Sequence, residues 1–176
     1  FVPSCITKVE EGMVVNTNSP KVIEARKLVL DLILSNHNRE CLTCSRNGNC
    51  ELQSLAEKFG MSKIEYEGER IPYEIDEVSP SIVRDLSKCI LCRRCVATCS
   101  KVQNIGAIAV ANRGFESHIA TAGEKSLNDV NCTNCGQCII ACPTGALREK
   151  DNTKDVWKQL KDEEKIVIVQ TAPAVR

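Results

Sequence analysis

Aromatic side chains are scarce: Phe, Trp and Tyr together make up 3% of the 176 residues. Large apolar anchors therefore contribute little to any core this chain builds. Neither sign of charge is in excess, with 23 acidic and 23 basic residues, which removes the electrostatic argument for a nucleic-acid or anionic-membrane partner. Long hydrophobic runs are missing too. The most apolar stretch, KVIEARKLVLDLILS, is broken by Glu24, Arg26, Lys27 and Asp31 and is too polar to span a bilayer. There is no initiator methionine: the chain opens on Phe1 and closes on KIVIVQTAPAVR. Both ends read as cut from a longer polypeptide, so the lack of a signal peptide says nothing about the native N-terminus.

Cysteine, by contrast, is abundant. Twelve cysteines in 176 residues is a density typical of disulfide scaffolds or metal sites. All but Cys5 fall into three tight runs built on two-residue gaps. Cysteines so closely spaced are poor partners for long-range bridges and suit a shared metal centre. The thiols are read as reduced, and the compartment as reducing and cytoplasmic. Bound clusters would then fill the part of the core that aromatic residues leave empty.

The local patterns place these runs. Asn18, Ser19 and Pro20 make a cap with proline at a helix start, and Val22, Ala25, Val29, Leu32 and Ile33 recur at helical spacing, predicting a helix that ends near Asn36 and delivers His37 at its edge. A cysteine loop with the turn signal Asn47-Gly48 follows, then a short helix, ELQSLAEKF, with Leu52, Leu55, Ala56 and Phe59 on one face and a stop at Gly60. Residues 63–80, charged and interrupted by Pro72 and Pro80, read as a linker. Beyond it lies an internal repeat: CILCRRCVATCS at 89–100 and CTNCGQCIIACP at 132–143 share one spacing, 43 residues apart. Between the copies, GAIAVANRGFESHIATA predicts a hairpin turning at Asn112, Arg113 and Gly114. A polar helix, KDVWKQLKDEE, precedes IVIV, whose β-branched run predicts a strand buried on both faces.

The repeat C-x2-C-x2-C-x3-C is the bacterial ferredoxin run, in which three cysteines bind one 4Fe-4S cubane and the fourth ligates the other. Applied here, Cys89, Cys92, Cys95 and Cys142 form one set, and Cys132, Cys135, Cys138 and Cys99 the second. Gly136 lets backbone N–H groups approach cluster sulfides, and Pro143 fixes the turn after Cys142. Ser100 stands where the second copy has Pro143, which weakens the turn in the first copy and leaves the ligation intact. The competing reading is a pair of zinc sites, but zinc favours C-x2-C pairs that lie far apart. The stretch HNRECLTCSRNGNC adds His37, Cys41, Cys44 and Cys50, giving twelve ligands for three four-ligand sites with Cys5 left over. H-x3-C-x2-C-x5-C also suits a zinc site of three cysteines and one histidine, although a redox-inert ion beside two electron carriers has no evident task. His37 has a plainer reading still, as a histidine favoured by the dipole at a helix C-terminus. As a ligand, its neutral imidazole in place of a thiolate removes a negative charge and makes the cluster easier to reduce, by the logic of Rieske centres.

HNRECLTCSRNGNCELQ, CILCRRC and CTNCGQCIIACPTGAL together resemble the iron-sulfur arm shared by multi-cluster FeFe-hydrogenases, the large iron-sulfur subunit of NADH dehydrogenase and some formate dehydrogenases. The ending IVIVQTAPAVR resembles the opening of the FeFe-hydrogenase catalytic domain, and FVPSCITKVEEGM is similar to the end of a plant-type 2Fe-2S domain. The resemblance implies an α+β chain in five parts: the end of a 2Fe-2S domain at 1–16 with Cys5 its last ligand; a small 4Fe-4S domain with one histidine and three cysteine ligands at 17–62; the linker at 63–80; a two-cluster bacterial-ferredoxin-like domain at 81–150; and at 151–176 the first strand of a larger α/β catalytic domain. It implies three 4Fe-4S clusters relaying electrons to a hydrogen-converting cluster whose own cysteines lie beyond Arg176, with Ala172 and Pro173 in the loop that touches it. Expected partners are a flavin-bearing NAD(P)H-binding subunit, a small 2Fe-2S subunit and ferredoxin. The alternatives are the arm of a formate dehydrogenase or NADH dehydrogenase subunit and, in another class, a zinc-stapled interaction module; visible absorption separates the last from the iron-sulfur readings.

Other features take plain readings. His118 in the hairpin is expected to be solvated, and Trp157 to pack with Leu160. Lys88, Arg93, Arg94 and Lys101 around the first motif suit an acidic partner, but a solvated face is the more economical expectation.

Overall fold

The computed structural model describes residues 1–173. Helix α1 spans Pro20–Asn36, with Ser19 Oγ accepting from the Val22 N–H and proline in the first turn. Helix α2 spans Glu51–Lys58, and Gly60 takes the left-handed conformation beyond its end, φ +64°. The two helices pack through Leu30, Leu34 and Leu52, with Ile33, Ala56, Phe59, Met61 and Ile64 around them. The buried stripe of α1 is therefore rotated from the expected one, and Val29 and Leu32 are 56% and 51% exposed. What α1 packs against decides this. Asp31 turns inward because its carboxylate accepts the Glu65 N–H on both oxygens at 3.2 Å, which satisfies a buried acid as burial requires.

That contact corrects the reading of residues 63–80 as only a linker. The segment is irregular, as expected, and mostly exposed, but it is tied down at several points. A Cβ at Gly68 would meet Ser35 Oγ at 2.9 Å, so glycine lets the chain cross α1 closely. Asp76 pairs with Arg84 by two backbone hydrogen bonds of 2.9 Å, and Glu77 makes an ion pair with Arg148 at 3.0 Å.

The repeat forms a unit closed by two small antiparallel sheets. Strands β1 (Ile82–Arg84) and β4 (Leu147–Glu149) join its beginning to its end, in register Val83 with Arg148. Strands β2 (Ala109–Ala111) and β3 (His118–Ala120) form the expected hairpin, with Val110 opposite Ile119. Helix α3 (Arg94–Ala97) contains the third cysteine of the first copy, Cys95, and continues into a π-helical turn over Thr98–Val102; α4 (Gln137–Ala141) is its counterpart. Ser100 in the first copy keeps that continuation possible. Pro143 at the matching position has no N–H to donate to a carbonyl of the preceding turn, and the chain turns there instead. The core consists of Ile82, Cys95, Ile108, Ile119, Leu127, Ile139 and Leu147, with Cys89, Cys99, Cys132, Cys138 and Cys142 packed against it.

Helix α5 (Thr153–Leu160) forms as expected but buries nothing. Trp157 and Leu160 are 58% and 52% exposed, not packed away. The expected strand IVIV is not formed: Ile166, Ile168 and Val169 are more than four-fifths exposed. Strand propensity needs a ladder to express itself, and among the described residues none pairs with this segment. Residues 174–176 lie outside the described residues, so the expected domain at 151–176 is followed only as far as Pro173.

Candidate iron-sulfur centres

The two cysteine motifs fold alike. Leu91 and Asn134 both have φ +54°, and Arg93 and Gly136, at matching positions two residues on, have φ +61° and +72°. Glycine adopts this conformation freely; for Leu91 and Arg93 it costs about 1 to 2 kcal/mol each. Such a run turns successive N–H groups inward as an anion-binding concavity, and the Leu91 N–H donates to Cys89 Sγ at 3.4 Å. Helix α3 then carries Cys95 and α4 carries Cys138.

The fourth cysteine of each motif crosses over. Cys89, Cys92, Cys95 and Cys142 line one cavity, whose wall Cys138 of the second motif also reaches. Burial, reinforced by neighbouring Cys89, Cys142 and Cys92, pushes the Cys95 thiol up to about 12. Burial likewise pushes Cys138 up to about 11, and the neighbours that reinforce it include Cys132, Cys135 and Cys99. Cys89 is raised by burial too, with Cys142 and Cys92 adding to the effect and the Leu91 N–H opposing it. Each set thus gathers three cysteines of one motif and the last of the other.

These thiols suit a metal cluster better than a free-thiol role. In a dry pocket a thiol resists ionisation and is inert, whereas a bound metal deprotonates it outright. Among the described residues no group of three or more His, Cys, Asp or Glu side chains closes around a single metal ion; the first set stands around a cavity.

The third candidate site is built from a helix end and a loop. His37 caps the C-terminus of α1 and is 9% exposed. Its Nδ1 is buried with no hydrogen-bond partner, an atom that a metal would satisfy. Burial, then the charges of Lys88 and Arg70 against the opposing Asp85, lowers its pKa to about 4. The imidazole is therefore neutral at pH 7, the form that ligates metals. Cys41 is exposed while Cys44 and Cys50 are half-buried.

This loop rests on the ferredoxin-like unit. The Asn38 N–H donates to Ser87 O at 3.1 Å and the Glu51 N–H to Pro143 O at 3.0 Å. Arg46 donates to Ile139 O at 3.0 Å, and Arg94 pairs with Glu51 at 2.7 Å. A Cβ at Gly145 would lie 2.8 Å from Cys44 Sγ, so glycine is what lets this thiol sit against the turn after Cys142. Arg46 and Gly145 carry no motif and are found only in three dimensions. Lys88, expected on a solvated face, is instead mostly covered and pairs with Asp85 at 2.9 Å; Arg94 is solvated as expected and pairs with Glu51 at 2.7 Å across that exposed face. His118 is half-buried and partnered: Nδ1 meets Glu116 O at 2.9 Å and Nε2 meets Glu124 at 3.1 Å. Cys5, Ala172 and Pro173 are exposed and stand outside the cavity lining.

Two family models match: the NADH-ubiquinone oxidoreductase-G iron-sulfur binding region over residues 26–65, and the 4Fe-4S dicluster domain over residues 88–146. The NADP-reducing hydrogenase subunit HndD of Solidesulfovibrio fructosivorans is 50% identical over 176 residues, all of this chain and 30% of that protein. Iron hydrogenase 1 of Clostridium pasteurianum is 41% identical, again across the whole chain and 31% of its own length. Among solved structures, an NAD+-reducing [NiFe]-hydrogenase in the H2-reduced state superimposes with a TM-score of 0.77 at 27% identity, over 83% of this chain and 62% of that one. The chain thus spans under a third of the length of these two curated relatives. With both iron-sulfur models matched and the two hydrogenase subunits aligned from end to end, the chain belongs to the iron-sulfur segments of the iron hydrogenase family.

Proposed function

We propose that this segment is a three-cluster electron relay within an FeFe-hydrogenase subunit, carrying electrons between an NAD(P)H/flavin or ferredoxin partner and a hydrogen-converting cluster held elsewhere in the subunit. The observation that carries the relay is the crossing of Cys142 to Cys89, Cys92 and Cys95, and of Cys99 to Cys132, Cys135 and Cys138. A shared pair of ligand-bearing helices forces two four-ligand centres to lie side by side, as transfer between them requires. Cubane clusters supply one-electron redox chemistry when bound. The chain's own residues place the centres, exclude water from the Cys95 and Cys138 thiols, and aim backbone N–H groups at sulfur.

The His37 loop extends the row. Its contacts with Ile139, Pro143 and Gly145 seat Cys44 beside the turn that follows Cys142, so the third centre abuts the first ferredoxin centre. The polypeptide from Cys142 to Gly145 is the short bridge between them. The same reading assigns Cys5 to a 2Fe-2S centre, places Ala172 and Pro173 near the hydrogen cluster, and expects a flavin-bearing NAD(P)H-binding subunit and a small 2Fe-2S subunit as partners in a reducing, cytoplasmic setting. No helix among the described residues is long and apolar enough to cross a membrane.

The model matched over residues 26–65 favours a second reading, the arm of an NADH dehydrogenase or formate dehydrogenase subunit. Full-chain alignment with two hydrogenase subunits favours the first. The test is metal analysis and hydrogen-dependent dye reduction on the full-length subunit purified without oxygen. The relay reading expects about twelve irons in this segment, four per cubane, and bleaching of their visible absorption under hydrogen. Stoichiometric zinc in place of iron sinks the relay; full iron with no response to hydrogen sinks the hydrogenase assignment.

A further inference from the structure

Arg84 is a buried cation with one arm unused. It lies on β1, 9% exposed, and lines the cavity that holds all four of Cys89, Cys92, Cys95 and Cys142 and only Cys138 of the second set. Two of its guanidinium nitrogens are taken: Nε donates to Asp76 Oδ2 at 3.0 Å and Nη2 to the same oxygen at 2.9 Å. Nη1 is buried and has no hydrogen-bond partner. Leaving a buried donor unsatisfied costs about 1 to 3 kcal/mol, more when it is charged. A guanidinium held this firmly by a carboxylate, on a residue that lines a cysteine-bearing cavity and with one nitrogen left unpaired, points to an acceptor in that cavity.

The internal repeat strengthens the point. Forty-three residues on, the position matching Arg84 is Leu127, buried and apolar. The first motif therefore has a cation on the strand that leads into it, and the second has none at the matching place. The two ferredoxin centres are alike in ligands and unlike in charge.

We propose that Arg84 is the counter-charge of the centre held by Cys89, Cys92, Cys95 and Cys142, donating an N–H···S hydrogen bond from Nη1 to that centre and making it easier to reduce than it would be without the cation. This rests on the iron-sulfur reading of that cavity. The physical basis is that an added electron is stabilised by a nearby positive charge, strongly so where solvent screening is weak, and that hydrogen bonds to sulfur and burial set cluster potentials. Arg84 is a positioning and tuning residue, not a ligand. Asp76, which holds the guanidinium from the other side, partly cancels its charge, so the two residues act on the potential with opposite signs.

The experiment is a redox titration followed by electron paramagnetic resonance on the full-length subunit, with iron measured in every preparation and each signal assigned beforehand by Cys→Ser variants of the three sets. Arg84→Gln is expected to disfavour reduction of the Cys89, Cys92, Cys95, Cys142 centre by about tenfold, about 59 mV for one electron, with the other two centres unmoved. Asp76→Asn is expected to shift the same signal in the opposite direction, and Arg84→Lys to recover part of the loss. A merely structural role would instead give shifts of one sign in both variants, or none. If Arg84→Gln fails to hold its centre, Asp76→Asn decides alone: a raised potential supports the proposal, and an unmoved or lowered one overturns it. Full iron with this signal unmoved in both variants overturns the proposal and leaves the relay standing; a wild-type protein without iron overturns the relay itself.

Discussion

In the ferredoxin-like unit the candidate ligands are part of the core. Cys95 is 8% exposed and packs with Ile82, Ile108, Ile119, Leu127, Ile139 and Leu147, while five further cysteines ring that cluster. In the loop of residues 37–50 the arrangement is reversed: the imidazole of His37 is buried and Cys41 is exposed. The apolar cluster of that domain, Leu30, Leu34 and Leu52, is formed by helices and takes in only Cys50 at its margin. Cofactors in the two places would therefore enter the energetics differently. In the first region a cluster would serve as core for a unit with few aromatic residues; in the second it would tie down a loop on a scaffold that packs without it.

Ligand removal tests that contrast directly and should have the greatest consequences. Cys99→Ala is predicted to abolish the centre of Cys132, Cys135 and Cys138, not the one nearest in sequence, and to lower the thermal stability of the whole ferredoxin-like unit. Cys41→Ala is predicted to abolish only the His37 centre and leave the main thermal transition in place. Each should remove about four irons of twelve. Equal damage to global stability from both variants would erase the distinction; loss confined to the Cys89, Cys92, Cys95 signal in Cys99→Ala would contradict the crossing.

A smaller and more local effect is expected where the two regions touch. In Gly145→Ala the new methyl group meets Cys44 Sγ at 2.8 Å. A free thiol could rotate away at little cost, but a sulfur fixed by iron could not, so the substitution reads whether Cys44 is a ligand. The His37 centre is predicted to become labile to oxygen, while the two ferredoxin signals keep their intensity. A variant in which all three centres match wild type would mean that Cys44 is free to move.

His37→Cys should be gentler still. Exchanging a neutral imidazole for a thiolate adds one negative charge, so a cluster is retained and its potential falls, with no change in the two all-cysteine centres. An unchanged or raised potential in the redox titration would make His37 a neighbour of the site.

The residues that were legible in the sequence are those whose roles depend on near neighbours. Cysteine spacing announces two like motifs, Ser19 and Pro20 announce α1, and Asn112 with Gly114 announces the hairpin, because local loop geometry, capping and left-handed turns are decided within a few residues. What the sequence hid depends on distant partners. Strands β1 and β4 are three residues each, too short for a periodicity, and pair across the whole unit. The face that α1 buries is chosen by Glu65 and α2. Arg84, in a stretch that otherwise reads as the approach to a cysteine motif, becomes notable only when Asp76 and the cavity are seen around it. IVIV failed in the opposite direction, since its composition satisfies every local rule for a strand while no described segment completes the ladder.

The mildest response is expected on the hairpin, and its size bears on the claim that the ferredoxin-like unit is stabilised from inside. The carbonyl of Glu116 and then the carboxylate of Glu124 raise the His118 pKa above its ordinary 6.5, against the opposing effects of burial and of the Arg84 charge. A raised pKa in the folded state means that protonation stabilises the fold. The contribution is full below about pH 6.5 and is lost as pH rises through the folded-state value. Glu124 is 63% exposed, so the pair is screened, and its worth is that of a surface ion pair, about 0.2 to 1 kcal/mol. Amide hydrogen exchange across Ala111 and His118, which face each other in the β2–β3 ladder, should quicken slightly from about pH 6 to pH 8 after correction for intrinsic rates, and His118→Gln should flatten that slope. Global melting should hardly respond over the same range. A drop of several kcal/mol in unit stability would place the unit's strength in the hairpin surface and not in the cysteine-lined core.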